Sequence, residues 1–450
     1  MLFLSDTIAA LATPTGTSAI AVVRTSGPQT EDLVRRIFGQ LPPPRVAQHA
    51  DYGSANGGLV DDVLFTYFAA PHSFTGEDTL EVSCHGNPYV AQKILEDLFT
   101  RDCRPAEPGE FSKRAFLNGR MDLSQAEAVM DLIHARSERA LAAANAQLRG
   151  ALGRHTSQLI TLLVNILAHV EAYIDFPDED LPAEDRQALM TDLTALEAGT
   201  SRLLATSHFG TLLRDGIKTV IIGAPNVGKS SLLNRLVGRD RALVSAEPGT
   251  TRDYIEERIV IGEHCLRLVD TAGLNPDPTA LERRGIEKTL EQAGEADLFL
   301  WVLDATSPTP VLPAETGRLM TAANTIAVLN KIDLVAGAPA SLALPFASVQ
   351  LSALTGAGFD TLTAAIATLA NAFHVEVGDE LIAINARHAL ALDQARSALQ
   401  SARTKLAAAT PSEMVASDLR DALDAFGQIA GKIDNEQVLD RLFASFCIGK

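Results

Sequence analysis

The segment Gly223-Ala-Pro-Asn-Val-Gly-Lys-Ser230 has the spacing of a phosphate-binding loop. Its glycines let backbone N–H groups curve around phosphate oxygens, while Lys229 meets the β and γ oxygens and the Ser230 hydroxyl ligates Mg²⁺. Asn226, Val227, Gly228 and Ser231 complete this wall of the pocket. An apolar run at Thr219–Ile222 precedes the loop and a helical stretch follows, as an anion site at a helix start requires. Asp270-Thr-Ala-Gly273 ends a second apolar run. There Asp270 can hold Mg²⁺ through water and the Gly273 amide can sense the γ-phosphate, with Thr271 and Ala272 making the turn. Asn330-Lys-Ile-Asp333 selects the base: the Asp333 carboxylate accepts from N1–H and the 2-amino group of guanine, a donor pair that adenine lacks, beside Asn330 and Lys331. Ser352-Ala353 suits a backbone contact to guanine O6. These segments, each at the end of a strand-like run, imply GTP bound at the C-terminal edge of an open α/β sheet.

What kind of GTPase is implied follows from the intervening residues. In Glu247-Pro-Gly-Thr-Thr-Arg-Asp253, Thr251 is the hydroxyl expected to complete the Mg²⁺ shell of the triphosphate state. The residue after Gly273 is Leu274, which cannot orient water, so hydrolysis needs another group.

The elements that position these residues follow from texture along 450 residues, a length that implies two to four domains. Short β-type runs (Ala19–Val23, Val63–Phe68, Thr79–Ser83) and a helix over Val90–Leu98 make residues 1–120 an α+β module. Residues 121–215 are helical by periodicity, broken by the acid- and proline-rich loop at Asp175–Pro182. Strand-like runs at Thr219–Ile222, Leu266–Val269, Leu298–Leu303, Thr325–Leu329 and Ala347–Leu351 make 216–372 a mostly parallel α/β unit. Helical texture returns over 373–450 (Ala389–Leu406, Ser417–Ile433, Asn435–Phe446), so a helical domain interrupted by the α/β unit is the simplest architecture.

Composition narrows the function classes. Apolar residues at 46% and charged ones at 21% are those of soluble domains with cores. A net charge of −18 argues against a general basic coat for nucleic acid, so a polyanion must meet a local patch. Arg101, Arg104, Lys113, Arg114 and Arg120 form the densest basic stretch, as a tRNA surface or a solvated rim. Cys84, Cys103, Cys265 and Cys447 show no C-x-x-C pair, which fits a cytosolic setting. No apolar run approaches the roughly 18–20 residues of a membrane span, and MLFLSDT lacks the features of a secretion signal.

The whole chain resembles the tRNA-modification GTPase family MnmE (TrmE). Three pieces outside the GTPase motifs carry the likeness. The first comprises Asp6-Thr-Ile-Ala-Ala, Val23-Arg24, Ser26-Gly-Pro28, Phe74-Thr-Gly-Glu-Asp78, Glu81 and Cys84-His-Gly86. The second is Pro108–Arg120 with Asp122–Ala128, and the third is Phe446-Cys-Ile-Gly-Lys450. The resemblance implies a multidomain protein: an α+β N-terminal module that binds 5-formyltetrahydrofolate or a related tetrahydrofolate, a discontinuous helical domain, and an inserted Ras-like P-loop GTPase domain. It also implies a cytoplasmic homodimer formed through the N-terminal module, with no membrane association. An FAD-dependent MnmG-type partner joins it in a heterotetramer that installs an aminomethyl-type group at C5 of the wobble uridine of certain tRNAs.

Residue by residue, the family's potassium site falls on Asn226 and the loop Ser245, Ala246, Glu247, Pro248, Gly249 and Thr250. An amide oxygen, carbonyls and the Thr250 hydroxyl would hold K⁺ there, in the place of an arginine finger. Asn226 also suits a turn-stabilising role. Glu282 matches the family's water-activating glutamate, and equally a solvated acid beside Arg283 and Arg284. The folate residues implied are Arg24, Glu81 and Arg120, with the C-terminal Lys450. Cys447 suits a nucleophile near the uridine or a packing thiol, and Cys84 a packing one. A ribosome-associated regulatory GTPase is the alternative, since it shares the phosphate loop and the Gly-Thr-Thr-Arg-Asp segment, but such proteins usually append a basic RNA-binding module. A GTP-gated scaffold with no folate site is the third reading.

Overall fold

A computed structural model describes residues 6–175, 183–239, 256–270, 291–308, 314–335, 344–373 and 381–431, with positions 443, 446 and 449. The chain divides into two compact units, one of residues 1–130 with 427–450 and one of residues 131–426.

The first unit is built on a six-stranded sheet in the order β3-β4-β5-β2-β1-β6. Its strands are β1 (Thr7–Leu11), β2 (Ile20–Ser26), β3 (Gln48–Gly53), β4 (Leu59–Phe68), β5 (Thr79–His85) and β6 (Cys103–Pro105). All pairs are antiparallel except β1 with β6, which run parallel. Helices α1 (Thr30–Phe38) and α2 (Pro88–Thr100) cover the apolar face, burying Leu33, Ile94 and Leu98 against Val23, Leu80 and Val82. Helix α2 starts where it does because the Asn87 side chain accepts from Tyr89 N–H and Pro88 fills the first helical position. Helix α3 (Glu110–Leu117) follows, then α4 (Leu123–His134). The C-terminal segment returns to this unit, where Phe443 and Phe446 pack with Leu123 and Ala126.

The second unit begins with α5 (Glu138–Leu148), α6 (Ala151–Asp175), α7 (Ala183–Ala205) and α8 (Ser207–Asp215). Helix Ala386–Ala407 packs along α7, and Arg420 of helix Ser412–Ala430 pairs with Glu171 of α6 at 2.7 Å. Helices from both sides of the α/β segment therefore build one body, and the α/β segment is an insertion. Helix α6 is long and apolar enough, by length and composition, to cross a membrane. Its burial is one-sided, however: Leu163, Ile166, Leu167 and Val170 are covered, while Ser157, Gln158, Thr161, Asn165 and His169 face outward. That is the pattern of a helix on a protein core.

The inserted sheet has the order β12-β11-β10-β7-β9-β8. Its strands are β7 (Ile217–Ile222), β8 (Glu256–Ile261), β9 (His264–Asp270), β10 (Leu298–Asp304), β11 (Thr325–Asn330) and β12 (Ala347–Gln350). Only the edge strand β8 is antiparallel to its neighbour. Every residue of β7 and β11 is buried, as expected of parallel strands covered on both faces. Trp301 of β10 is buried on one side of the sheet with its ring edge-on to Phe346, 6.1 Å between centroids.

Candidate functional site

The C-terminal ends of β7, β9, β10 and β11 lie side by side in parallel register, with Ile221 opposite Asp270 and Asp304 opposite Asn330. The sequence motifs therefore converge on one sheet edge. The loop leaving β7 turns through Asn226, whose φ of +62° is left-handed, into helix α9 (Lys229–Arg239). Gly228 also has positive φ, +100°, and a Cβ there would collide with the amide of Asn330. The cradle is thus shaped for glycine and has backbone N–H groups at a helix start, which fits a nucleotide phosphate. Lys229 is buried, and its Nζ donates to the carbonyls of Gly223 and Ala224 at 3.2 and 2.9 Å, which holds the ammonium over the loop.

Asn330 is the keystone of the base side. It is buried; its Nδ2 donates to Val227 O at 2.8 Å and its Oδ1 accepts from Ala353 N–H at 2.8 Å, so one side chain ties the phosphate loop to the segment after β12. Ala353 N–H, expected to face guanine O6, is thereby directed to Asn330 instead. Lys331 adopts a left-handed backbone (φ +66°) and its Nζ pairs with Asp304 Oδ2 at 2.6 Å. Burial would raise the Asp304 carboxyl, but hydrogen bonds from Lys331 and Thr306 outweigh it and hold it below the ordinary range. Asp333 is exposed at the edge of the pocket, where a carboxylate can meet a base, and Ser352 is buried with its Oγ accepting from Thr355 N–H.

One residue of this pocket is absent from the sequence reading. Arg235 of α9 donates to the carbonyls of Ala353, Leu354 and Thr355 at 3.1, 2.6 and 2.9 Å and lies over the Phe359 ring. It fixes the turn that closes the base side. An arginine in a helix carries no local signal of carbonyl partners more than a hundred residues away.

In the first unit, Arg24 of β2 lies opposite Glu81 of β5. Its Nε and Nη2 donate to Glu81 Oε1 at 2.9 and 2.7 Å, so these two residues form a pair in the protein itself. The guanidinium also sits between the rings of Phe74 and Phe111, at 5.6 and 5.7 Å from their centroids, and reaches the carbonyl of Gly449 at 3.5 Å. Arg120 is exposed, with its side chain beside Gly76. A partly buried guanidinium–carboxylate pair beside aromatic rings is chemistry that fits a heteroaromatic ring with a carboxylate tail. Cys84 is buried, its Sγ donating to Ala21 O, and burial pushes the thiol up, which fits packing rather than reaction.

The basic stretch has another purpose than meeting tRNA at Arg101, Arg104 and Arg114. Arg114 is 0% exposed and pairs with Asp6, Glu77 and Glu110 at 2.8, 3.1 and 3.0 Å. Arg104 pairs with Asp6 and Glu110 at 2.7 and 2.6 Å, and Arg101 with Asp97 at 2.7 Å. Burial would raise Asp6 and Glu110, but the hydrogen bonds from Arg104 and Arg114 hold both carboxyls below the ordinary range. This network joins β1, β6 and α3 and leaves Arg114 no phosphate contact to make.

Ser245, Ala246, Glu247, Pro248, Gly249, Thr250, Thr251, Thr271, Ala272, Gly273, Glu282, Cys447 and Lys450 lie outside the described residues, and Asp270 is described in its backbone alone. Of the Mg²⁺ and K⁺ ligands expected, Ser230 and Asn226 are described and exposed, and their side-chain oxygens are of the kind hard cations take.

A family model described as the MnmE helical domain matches residues 123–447. The chain belongs to the MnmE family of tRNA modification GTPases. A second model, described as the GTP-binding protein TrmE N-terminus, matches residues 7–120. The tRNA modification GTPase MnmE of Opitutus terrae is 58% identical over 99% of both chains, and that of Akkermansia muciniphila 45% identical over 99% of both. Among solved structures, the G domain of the T. maritima FeoB iron transporter is 26% identical, with a TM-score of 0.25, over 34% of this chain and 98% of that one. Membership accounts for the architecture described above: an MnmE N-terminal module, a helical domain assembled from both sides, and a GTP-hydrolysing domain inserted in it.

Proposed function

We propose that GTP hydrolysis in this chain drives a one-carbon modification at C5 of the wobble uridine of certain tRNAs, with a tetrahydrofolate as donor and an FAD-dependent partner of the MnmG type. The observation that carries the reading is the Arg24–Glu81 pair flanked by Phe74 and Phe111. A reduced folate supplies a one-carbon unit when bound. Glu81 can accept from the amidine-like edge of its pterin, Arg24 holds the Glu81 carboxylate in position, and exposed Arg120 can hold a carboxylate of the tail. Exposed Ile20, Leu59 and Leu64 on the same sheet support pairing of two copies through this unit, to which the partner adds in a heterotetramer. We place the assembly in the cytoplasm. Cys447 is assigned to this site as either nucleophile or packing residue.

In the G domain, Lys229 and the loop amides bind phosphate, Ser230, Thr251 and Asp270 serve Mg²⁺, and Asp333 reads guanine. Glu282 orients water through a bridging molecule, in place of the glutamine that Leu274 cannot replace. Asn226 and the loop 245–250 hold K⁺, with Ser245, Glu247 and Thr250 in its shell.

Titration of the full chain with 5-formyltetrahydrofolate tests the folate reading. Saturable binding is expected, weakened about tenfold or more by Arg24→Ala or Glu81→Ala, since a charge-assisted bond contributes about 1.5–3 kcal/mol. An intact chain that fails to bind folate refutes the one-carbon chemistry while leaving the GTPase assignment standing. For the cation, GTP hydrolysis should run faster in K⁺ than in Na⁺ at equal ionic strength, and equal rates would remove the potassium site.

A further inference from the structure

Residues 131–426 contain a cavity of about 330 Å³ that belongs to neither site described above. It lies among the end of α4, α5, α8 and β8. His134, Arg136, Arg214 and Arg258 line it, against the acids Asp131 and Asp215. In a chain of net charge −18, three arginines against two acids are a local positive excess. His134 and Arg214 have no hydrogen-bond or ion-pair partner among the described residues. Arg258 lies directly opposite Arg267 in the antiparallel β8–β9 pair, a like-charge arrangement that costs a sheet stability. Both lean on one carboxylate, Glu256, at 4.0 and 3.4 Å. Ala143 and Ala144 of α5 with Leu213 of α8 supply apolar lining.

A volume at the lower end of small-molecule sites, lined by both forked cationic donors and hydrocarbon, selects for an amphipathic anion. We propose that this cavity binds a small organic phosphate, its anionic head on Arg214 and Arg258 and its apolar part on the α5 alanines. Its binding relieves the Arg258–Arg267 repulsion and gives Arg214 a counter-charge. The site also joins α5 and α8 to β8, the strand that begins five residues after Thr251. A ligand in the cavity would therefore stitch the helical body to the chain leaving the nucleotide switch segment.

Phenyl phosphate is the probe, titrated calorimetrically into the full chain saturated with Mg·GDP so that the phosphate loop is already filled. Saturable binding is expected, tighter than that of inorganic phosphate and absent for phenol. The double variant Arg214→Ser/Arg258→Ser should bind at least tenfold more weakly with its GDP affinity unchanged. Ala143→Leu, which fills the apolar wall and keeps the arginines, provides a second test and should weaken phenyl phosphate about tenfold. No saturable binding at millimolar concentration overturns the proposal. So does undiminished affinity in either variant, or inorganic phosphate binding as tightly as the phenyl ester.

Discussion

Replacing Asn330 with alanine should weaken GDP binding on the order of a hundredfold while the sheet around it remains folded. The side chain makes two buried hydrogen bonds, to Val227 O and from Ala353 N–H. Its removal leaves both backbone groups unsatisfied, at about 1–3 kcal/mol each, where about 1.4 kcal/mol is a factor of ten in affinity. The loss falls on binding because those bonds set the loop shape that the phosphates require, in a cradle where even a Cβ on Gly228 would strike the same amide. Asn330→Asp retains an acceptor for Ala353 but sets a carboxylate against Val227 O, so it should bind no better than the alanine variant. Calorimetry with GDP decides the matter, and an Asn330→Ala protein within threefold of the natural chain would show that Asn330 is not the keystone.

Arg114→Met should destabilise the N-terminal unit by about 3–5 kcal/mol, the range for removing one partner of a buried ion pair. The guanidinium is fully covered, and without it Glu77 loses its counter-charge while Glu110 and Asp6 each lose one of two, keeping Arg104. The sign of the pH dependence follows from the same contacts. Asp6 and Glu110 have folded pKa values below their unfolded ones, so their contribution is present above about pH 4 and lost as pH falls through the folded values. In the variant, burial without full compensation raises the Glu110 carboxyl, and acid unfolding should begin at a higher pH. Urea titrations at pH 7 and pH 5 measure both effects. Equal midpoints for the variant and the natural chain would mean that the network contributes nothing net.

The inserted domain was legible because its strands are buried on both faces, which forces continuous apolar runs such as Ile217–Ile222 and Leu298–Leu303. Edge strand β8, Glu-Glu-Arg-Ile-Val-Ile, has no such constraint and shows no run at its start. β3, Gln-His-Ala-Asp-Tyr-Gly, fully buries only Tyr52. Such strands are fixed by neighbours, not by their own residues. The same limit applies to side chains. Lys229 and Asp333 announce themselves by spacing, whereas Arg235 and Arg114 act through partners brought close only by folding: carbonyls 118 to 120 positions away for one, Asp6 at 108 positions for the other. The basic stretch around Arg104 and Arg114 looked like a polyanion surface for that reason. Of its acids, Glu110 is local, but Asp6 and Glu77 come from before β1 and from the turn before β5.

Trp301 is the chain's single tryptophan, and it is buried inside the inserted sheet. Indole emission is therefore a selective optical reporter: it follows melting of the nucleotide-binding domain and is blind to the N-terminal module. That module carries Tyr52 and Tyr67, each bonded to a carboxylate, Asp97 and Asp78 respectively. Exciting the indole alone, at the red edge of its absorption, gives an unfolding curve for the nucleotide-binding domain, so that damage there can be assigned without cutting the chain.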